Sequence, residues 1–253
     1  MLLAIDIGNT AVSTAIIKKT RIVARYHLDT FRHADSSPKA LNQFLLKIGK
    51  AHRGLTQVMV CSVVPHFNHT MAKLVSKNLG LKTIFIGQDL MVPIKNNYYN
   101  PKQVGQDRLV GAYAAKMLYG APCIVIDFGT AITFDVVSVK GAYEGGIIIP
   151  GIRLSAESLF QKTALLPRVE SIKAPRQLIG KDTKESILSG LFFGYGAMSC
   201  GLIDLISQRL KRKANVIITG GYTHMMKKFV INKVDTIDND LIFKGLALLS
   251  SQL

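Results

Sequence analysis

Three carboxylates stand where phosphate chemistry could use them. Asp127 follows the apolar run Cys123-Ile124-Val125-Ile126 and precedes Phe128-Gly129-Thr130-Ala131. Asp6 follows Leu2-Leu3-Ala4-Ile5 and precedes Ile7-Gly8-Asn9-Thr10. Each time an apolar strand ends on an aspartate, a glycine turn and a threonine follow, and a second apolar run returns alongside the first. The glycine lets the backbone approach a ligand closely. Turn amides and the hydroxyl can bond phosphate oxygens. The aspartate can hold a hydrated Mg²⁺ or another cation beside them. A single copy would pass as an ordinary hairpin with a capping carboxylate. Two copies, about half the chain apart, point to a duplicated domain that clamps a nucleotide polyphosphate from both sides. The third carboxylate, Asp107, lies in Val104-Gly105-Gln106-Asp107-Arg108, at or just before a predicted helix. The residues alone leave two readings open. Asp107 could be a helix cap with Arg108 on the surface, or a general base beside an arginine that binds an anionic substrate group.

The elements that must position these groups follow from periodicity. Strands are predicted at 2–5, 12–17 and 22–26, a polar loop at 28–37, and a helix at 38–50 with Leu41, Phe44, Leu45 and Ile48 on one face. A strand at 58–61, a helix from about 67 to 78 and a strand at 81–86 complete a βββαβαβ order, an α/β arrangement. Residues 89–108 are irregular. A helix then runs to Leu118 and stops at Gly120, with Pro122 beyond. Strands at 123–126, 132–139, 143–150 and 215–219 and helices at 151–163, from Thr183 and at 241–249 fill the second half. Residues 165–181 read as a polar lid or interface loop. Gly245 permits a close contact on the closing helix.

Composition narrows the class. The chain has 253 residues, 48% hydrophobic and 19% charged, which fits a well-buried globular protein of one large or two modest domains. The start lacks a basic n-region and Asp6 interrupts it, so no secretory signal is expected. Cys61, Cys123 and Cys200 are odd in number and widely spaced, and read as reduced core cysteines of a cytoplasmic protein. No Cys/His pair has zinc spacing, and His66, His69 and His224 are assigned no chemistry. Residues 186–203 carry no charge but hold Gly190, Gly194, Gly196 and Gly201, so they read as a buried small-faced helix packed on another helix or a second subunit, not a membrane span. The formal net charge of +16 is scattered, with short clusters at Lys211-Arg212-Lys213 and Lys227-Lys228, and no nucleic-acid-binding motif accompanies it. Neither nucleic acid nor membrane is expected as a partner. The basic surface would draw in anionic ligands.

The ordered set of motifs resembles the type III pantothenate kinases of the actin/Hsp70/sugar-kinase superfamily. Asp6-Ile7-Gly8-Asn9-Thr10, Asn100-Pro101 followed by Gly105-x-Asp107-Arg108, and Asp127-x-Gly129-Thr130-Ala131 carry the resemblance. It continues through Gly145-Gly146 with Ile149-Pro150-Gly151, Leu165-Leu166-Pro167, Gly180-Lys181-Asp182-Thr183 and Gly220-Gly221, along the whole chain. Gln106 inside the G-x-D-R motif and the adjacent pair Tyr98-Tyr99 are mild departures. The resemblance implies two actin-like (ribonuclease H-like) α/β domains, here divided as 1–112 and 113–253, with a nucleotide cleft between them. It implies ATP-dependent phosphorylation of the pantothenate hydroxyl to 4'-phosphopantothenate, the first step of coenzyme A synthesis. Asp107 would be the catalytic proton acceptor. Asp6, Ile7, Gly8, Asn9, Thr10, Ala11, Val12, Ser13 and Thr130 would bind ATP. Tyr98, Gly105, Gln106, Asp107, Arg108 and Thr183 would bind pantothenate. Asp127 would hold a monovalent cation, K⁺ or NH₄⁺, and Asp6 would hold Mg²⁺ through water. The Gly220-Gly221 turn would lie against the adenosine. Members of the family are homodimers. The alternatives are an actin-fold kinase of another small hydroxyl compound, or a non-catalytic nucleotide-binding regulator. The presence of Asp6, Asp107 and Asp127 together weighs against the latter.

Overall fold

The computed structural model describes residues 1–29 and 38–253. Both aspartate turns head the same topology. In the first, β1 (Leu2–Ile7), β2 (Ala11–Lys18) and β3 (Arg21–Asp29) form an antiparallel meander. Then come α1 (Pro38–Ala51), β4 (Gln57–Ser62), α2 (Pro65–Leu79) and β5 (Thr83–Phe85), in a sheet ordered β3-β2-β1-β4-β5. β4 runs parallel to β1, and β5 parallel to β4. After α3 (Gln106–Tyr119) the plan repeats: β6 (Cys123–Phe128), β7 (Ala131–Val137), β8 (Tyr143–Pro150), α4 (Ile152–Lys162), α5 (Thr183–Leu210), β9 (Asn215–Thr219), α6 (Thr223–Val230), β10 (Thr236–Ile237) and α7 (Leu241–Ser250). The second sheet is ordered β10-β9-β6-β7-β8, with the same parallel and antiparallel pairings about β6 as about β1. Even the register shifts correspond, at Ile16/Ile17 in β2 and Val136/Val137 in β7.

Alternation along the two central strands explains where the carboxylates point. Leu3, Ile5 and Ile7 of β1 join Leu41, Leu45 and Ile48 of α1 and Met71 and Val75 of α2 in one core. Ile124, Ile126 and Phe128 of β6 join Ile152, Phe192, Ile203 and Met226 of α4, α5 and α6 in the other. Successive strand residues face opposite sides. Asp6 and Asp127, each one residue before the last in its strand, therefore leave these helix-covered faces.

The chain divides into two compact units, one of residues 1–94, 100–114 and 240–253 and one of residues 95–99 and 115–239. The contiguous division at 112/113 needs correcting on this point. Its boundary falls two residues from the break inside α3, but α7 belongs with the first unit. Gly245 is the physical reason: a Cβ there would lie 2.6 Å from Val110 Cγ1, so α7 seats directly on α3. α7 also packs on β1, β2 and β4. Arg25 of β3 clamps its start, donating from Nε and Nη2 to Asp240 at 2.7 and 2.6 Å.

Other differences are local. β3 runs through Leu28 to Asp29 where a loop was expected, and the rest of that loop, 30–37, lies outside the described residues. β5 is shorter than expected, and the two-residue β10 is too brief to leave a periodic signature. α5 is long and apolar enough to cross a membrane by length and composition alone. It buries Ile187, Phe192, Gly196 and Ile203, while Gly190, Gly194 and Gly201 face outward. Of the four glycines only Gly196 makes a close helix contact, 2.6 Å from its would-be Cβ to Phe229 Cβ of α6.

Candidate active site

In the first unit the β1–β2 turn is closed by the Gly8 amide, which donates to the Ala11 carbonyl at 3.0 Å. Ile7 and Val12 are fully buried, so they can offer a ligand only their main chain. Asn9 and Thr10 are exposed at the tip. Asp6 is half-buried and stands in register between Ser13 of β2 and Cys61 of β4. Ser13 is in turn opposite His27, and its Oγ lies 3.0 Å from His27 Nδ1. The other ring nitrogen, Nε2, lies 3.0 Å from Asp29 Oδ1. A row of polar side chains thus crosses the end of the sheet, of which the sequence had marked only Asp6 and Ser13.

Asp107 occupies the first turn of α3, not the position before it. Gly105 takes that place, its carbonyl accepting from the Leu109 amide at 3.3 Å. The capping reading of Asp107 therefore gives way. Its Oδ1 folds back to accept from the Arg108 amide at 2.8 Å. Glycine at 105 makes this possible, since a Cβ there would sit 2.5 Å from the same oxygen. Gln106 lays its amide on Gly87, whose φ of +83° already favours glycine. Burial pushes the Asp107 carboxyl above its ordinary value, against the opposing pull of the Arg108 amide and guanidinium. The buried Cys61 thiol is raised well above its ordinary range by burial first, then by Asp6 and Asp107. Both carboxylates thus act on Cys61, which pairs directly with Asp6 across β1 and β4.

In the second unit the β6–β7 turn is one residue shorter: the Gly129 amide donates to Ala131 at 3.1 Å. The turn is gripped from two sides. The Gly151 amide donates to the Thr130 carbonyl at 3.0 Å, and a Cβ on Gly151 would collide with that same oxygen. A Cβ on Gly220, at φ +98°, would collide with Asp127 Oδ1 and come within 2.7 Å of the Phe128 backbone. Gly129 also stands close to that carboxylate, at 3.1 Å from its would-be Cβ. Asp127 is thus a half-buried carboxylate in a glycine cradle, and Thr130 is exposed at the turn. Gly220 backs Asp127, while a Cβ on Gly221 would meet nothing within 4 Å.

Tyr98 and Thr183 stand on separate elements of this unit. The Tyr98 ring lies over Gly145, whereas Tyr99 is 108% exposed. Thr183 opens α5 and is exposed. Just before it Asp182 caps the helix by accepting from the Glu185 amide at 2.8 Å, and the Glu185 side chain reaches past the cap to accept from the Lys181 amide at 3.0 Å. Among the described residues no three His, Cys, Asp or Glu side chains cluster as a metal cage.

Two sheets of identical plan, each with an aspartate and a glycine turn at the same place, define the actin-like sugar-kinase fold. Solved structures share it. A protein described as a candidate Baf family transcriptional activator from Campylobacter jejuni superposes with a TM-score of 0.58 at 22% identity, covering 99% of this chain and 98% of that one. One described as a candidate N-acetylmannosamine kinase from Listeria monocytogenes does so at 0.51 and 11%, covering 99% and 98%.

Closer relatives decide the family. The family model for type III pantothenate kinase matches residues 2–205. A type III pantothenate kinase of Persephonella marina is 42% identical over 90% of this chain and 90% of its own. That of Zymomonas mobilis subsp. mobilis is 40% identical over 100% of this chain and 93% of its own. The chain belongs to the type III pantothenate kinase family, and it is an enzyme that uses ATP.

Proposed function

We propose that the protein transfers the γ-phosphoryl group of Mg-ATP to the primary hydroxyl of pantothenate, with Asp107 as proton acceptor. The observation that carries this reading is the Asp107 carboxylate, bent onto its own helix N-terminus over Gly105 and acting with Asp6 on Cys61. Phosphoryl transfer needs in-line positioning and compensation of phosphate charge more than covalent help. Asp107 orients the attacking hydroxyl and takes its proton. Burial strengthens it as a base. Arg108 pairs with the pantothenate carboxylate, and Gly105, Gln106, Tyr98 and Thr183 complete the substrate contacts. The main chain of the Asp6 to Ser13 turn, the Thr10 hydroxyl and the Thr130 turn hold ATP phosphates.

Asp6, half-buried near the end of β1 beside the Gly8 turn, would hold a hydrated Mg²⁺ shared with phosphates. Bound there, Mg²⁺ would neutralise charge on the transferred group. Asp127, which the bare Gly129 and Gly220 approach closely, would hold a larger, weakly hydrated monovalent cation such as K⁺ or NH₄⁺. Gly190, Gly194, Ala197 and Gly201 form an exposed stripe at helical spacing on α5, continued by Leu205 at 62% exposure. We assign this stripe to a homodimer interface. The cysteines are free, in keeping with a cytoplasmic protein.

The test is ADP release from Mg-ATP, with and without pantothenate, in K⁺ and with Na⁺ in its place. Pantothenate-dependent release that needs K⁺ is expected. Release indifferent to pantothenate would remove the substrate assignment, and release indifferent to K⁺ would remove the role of Asp127.

A further inference from the structure

The Gly145-Gly146 motif, the buried Asp135 and the buried Tyr143 have no part in the chemistry above. They meet at one place. Val136 and Val137 of β7 face Gly145 and Tyr143 of β8, so Glu144 is an extra residue and β8 bulges there. Bulges re-aim the groups beside them. The bulge is pinned from inside, where the fully buried Tyr143 donates its hydroxyl to Asp135 Oδ1 at 2.8 Å and Thr133 Oγ1 donates to Asp135 Oδ2 at 3.3 Å. A strap is laid on the same residue from outside. The Tyr143 amide donates to the Lys95 carbonyl at 2.8 Å, and the Asn97 amide donates to the Tyr143 carbonyl at 2.9 Å. The bulged Glu144 accepts from Asn97 Nδ2 at 3.0 Å. Tyr98 follows at once, its amide donating to Asn96 Oδ1 at 3.0 Å. Its ring settles on Gly145, at φ +109°, where a Cβ would stand 3.3 Å from Cδ2.

We propose that Asp135, Tyr143 and Gly145 are positioning residues for Tyr98, and through it for pantothenate. The proposal rests on the reading of Tyr98 as a substrate contact. An apolar pair in place of Asp135 and Tyr143 would tolerate slippage, because apolar packing is not directional. A buried hydroxyl–carboxylate bond is satisfied in one register only. A slip of β8 would break it, carry Gly145 from under the ring and release the strap. The bare glycine sets the height of the ring above the strand, so the pair and the glycine act on the same side chain.

The test compares wild type with Tyr98→Ala, Tyr143→Phe, Asp135→Asn, Asn97→Ala and the Tyr98→Ala/Tyr143→Phe double variant, measuring kcat and both KM values. Tyr143→Phe is expected to raise KM for pantothenate about tenfold, the size of one lost buried hydrogen bond, with kcat and KM for ATP nearly unchanged. Asp135→Asn keeps an acceptor for the tyrosine hydroxyl and stays near wild type. Asn97→Ala, at the surface, raises the same KM about threefold and carries the test if Tyr143→Phe does not fold. In the double variant Tyr143→Phe adds nothing to Tyr98→Ala. Multiplying effects in the double variant, or parallel loss in kcat and KM for ATP, would show a merely structural role and overturn the proposal. An unchanged KM in Tyr98→Ala, or wild-type turnover indifferent to pantothenate, would instead remove the reading beneath it, and the proposal with it.

Discussion

If Asp107 is the proton acceptor proposed above, its environment can be read in both stability and rate. Its carboxyl is raised by burial, so its folded pKa lies above its unfolded one. A group shifted this way adds stability below its unfolded pKa and loses that contribution as pH rises through the folded value. At neutral pH the charged Asp107 is therefore a net cost to the fold. Asp107→Asn should cut kcat by roughly 10²–10⁴-fold, the usual range for a lost general base, while Tm by calorimetry stays level or rises. A clear fall in Tm would mean that the carboxylate holds the helix start together. The acidic limb of the kcat profile should lie above 3.8, the ordinary value for this group. Arg108 opposes the shift, so Arg108→Gln should move that limb to higher pH as well as weakening pantothenate binding. A limb that stays put would separate Arg108 from the ionisation of Asp107.

At the scale of elements, α5 is two helices in one. Its inner face needs Gly196, where a side chain would meet Phe229 of α6. Gly196→Val should cost about 1–3 kcal/mol by overpacking, read as a lower urea midpoint. Gly194 meets nothing within 4 Å. Its backbone freedom is a liability inside a helix, so Gly194→Ala should stabilise an isolated protomer by up to about 1 kcal/mol. The contrast between neighbouring glycines separates packing from propensity. The Arg25–Asp240 clamp, bidentate but with Arg25 largely exposed, should be worth no more than about 1 kcal/mol. Equal urea midpoints for Arg25→Ala and wild type would mean that α7 is held by its packing on α3 and on β1, β2 and β4, without help from the ion pair.

For the molecule as a whole, the outward stripe on α5 and the net charge make separate predictions. If the stripe is the homodimer interface, Gly194→Arg should shift sedimentation from dimer to monomer without unfolding the chain. A dimer that survives would move the interface elsewhere. The formal charge of +16 should draw in ATP by long-range attraction. At constant K⁺, kcat/KM for ATP should fall several-fold as choline chloride is raised and the Debye length contracts to about 8 Å near physiological ionic strength. A flat response would mean that the scattered charges cancel at the site.

Short-range physics made much of this protein legible in its sequence. An apolar run ending in Asp, Gly and Thr specifies a strand and a tight turn through local sterics and hydrogen-bonding capacity. Two copies of that pattern announced the duplicated fold, and nearly every helix and strand followed from periodicity. What the tertiary structure decided lies where distant segments meet. Periodicity does not say which body a terminal helix joins; the bare surface of Gly245 against Val110 puts α7 with the first unit. Spacing does not say that Cys61 lies beside Asp6, because parallel pairing of β1 with β4 brings it there across some fifty residues. Nor does it distinguish Gly196 from Gly194, or Tyr98 from Tyr99. Those differences arise from what stands opposite each residue, and a one-dimensional pattern carries no information about the opposite side.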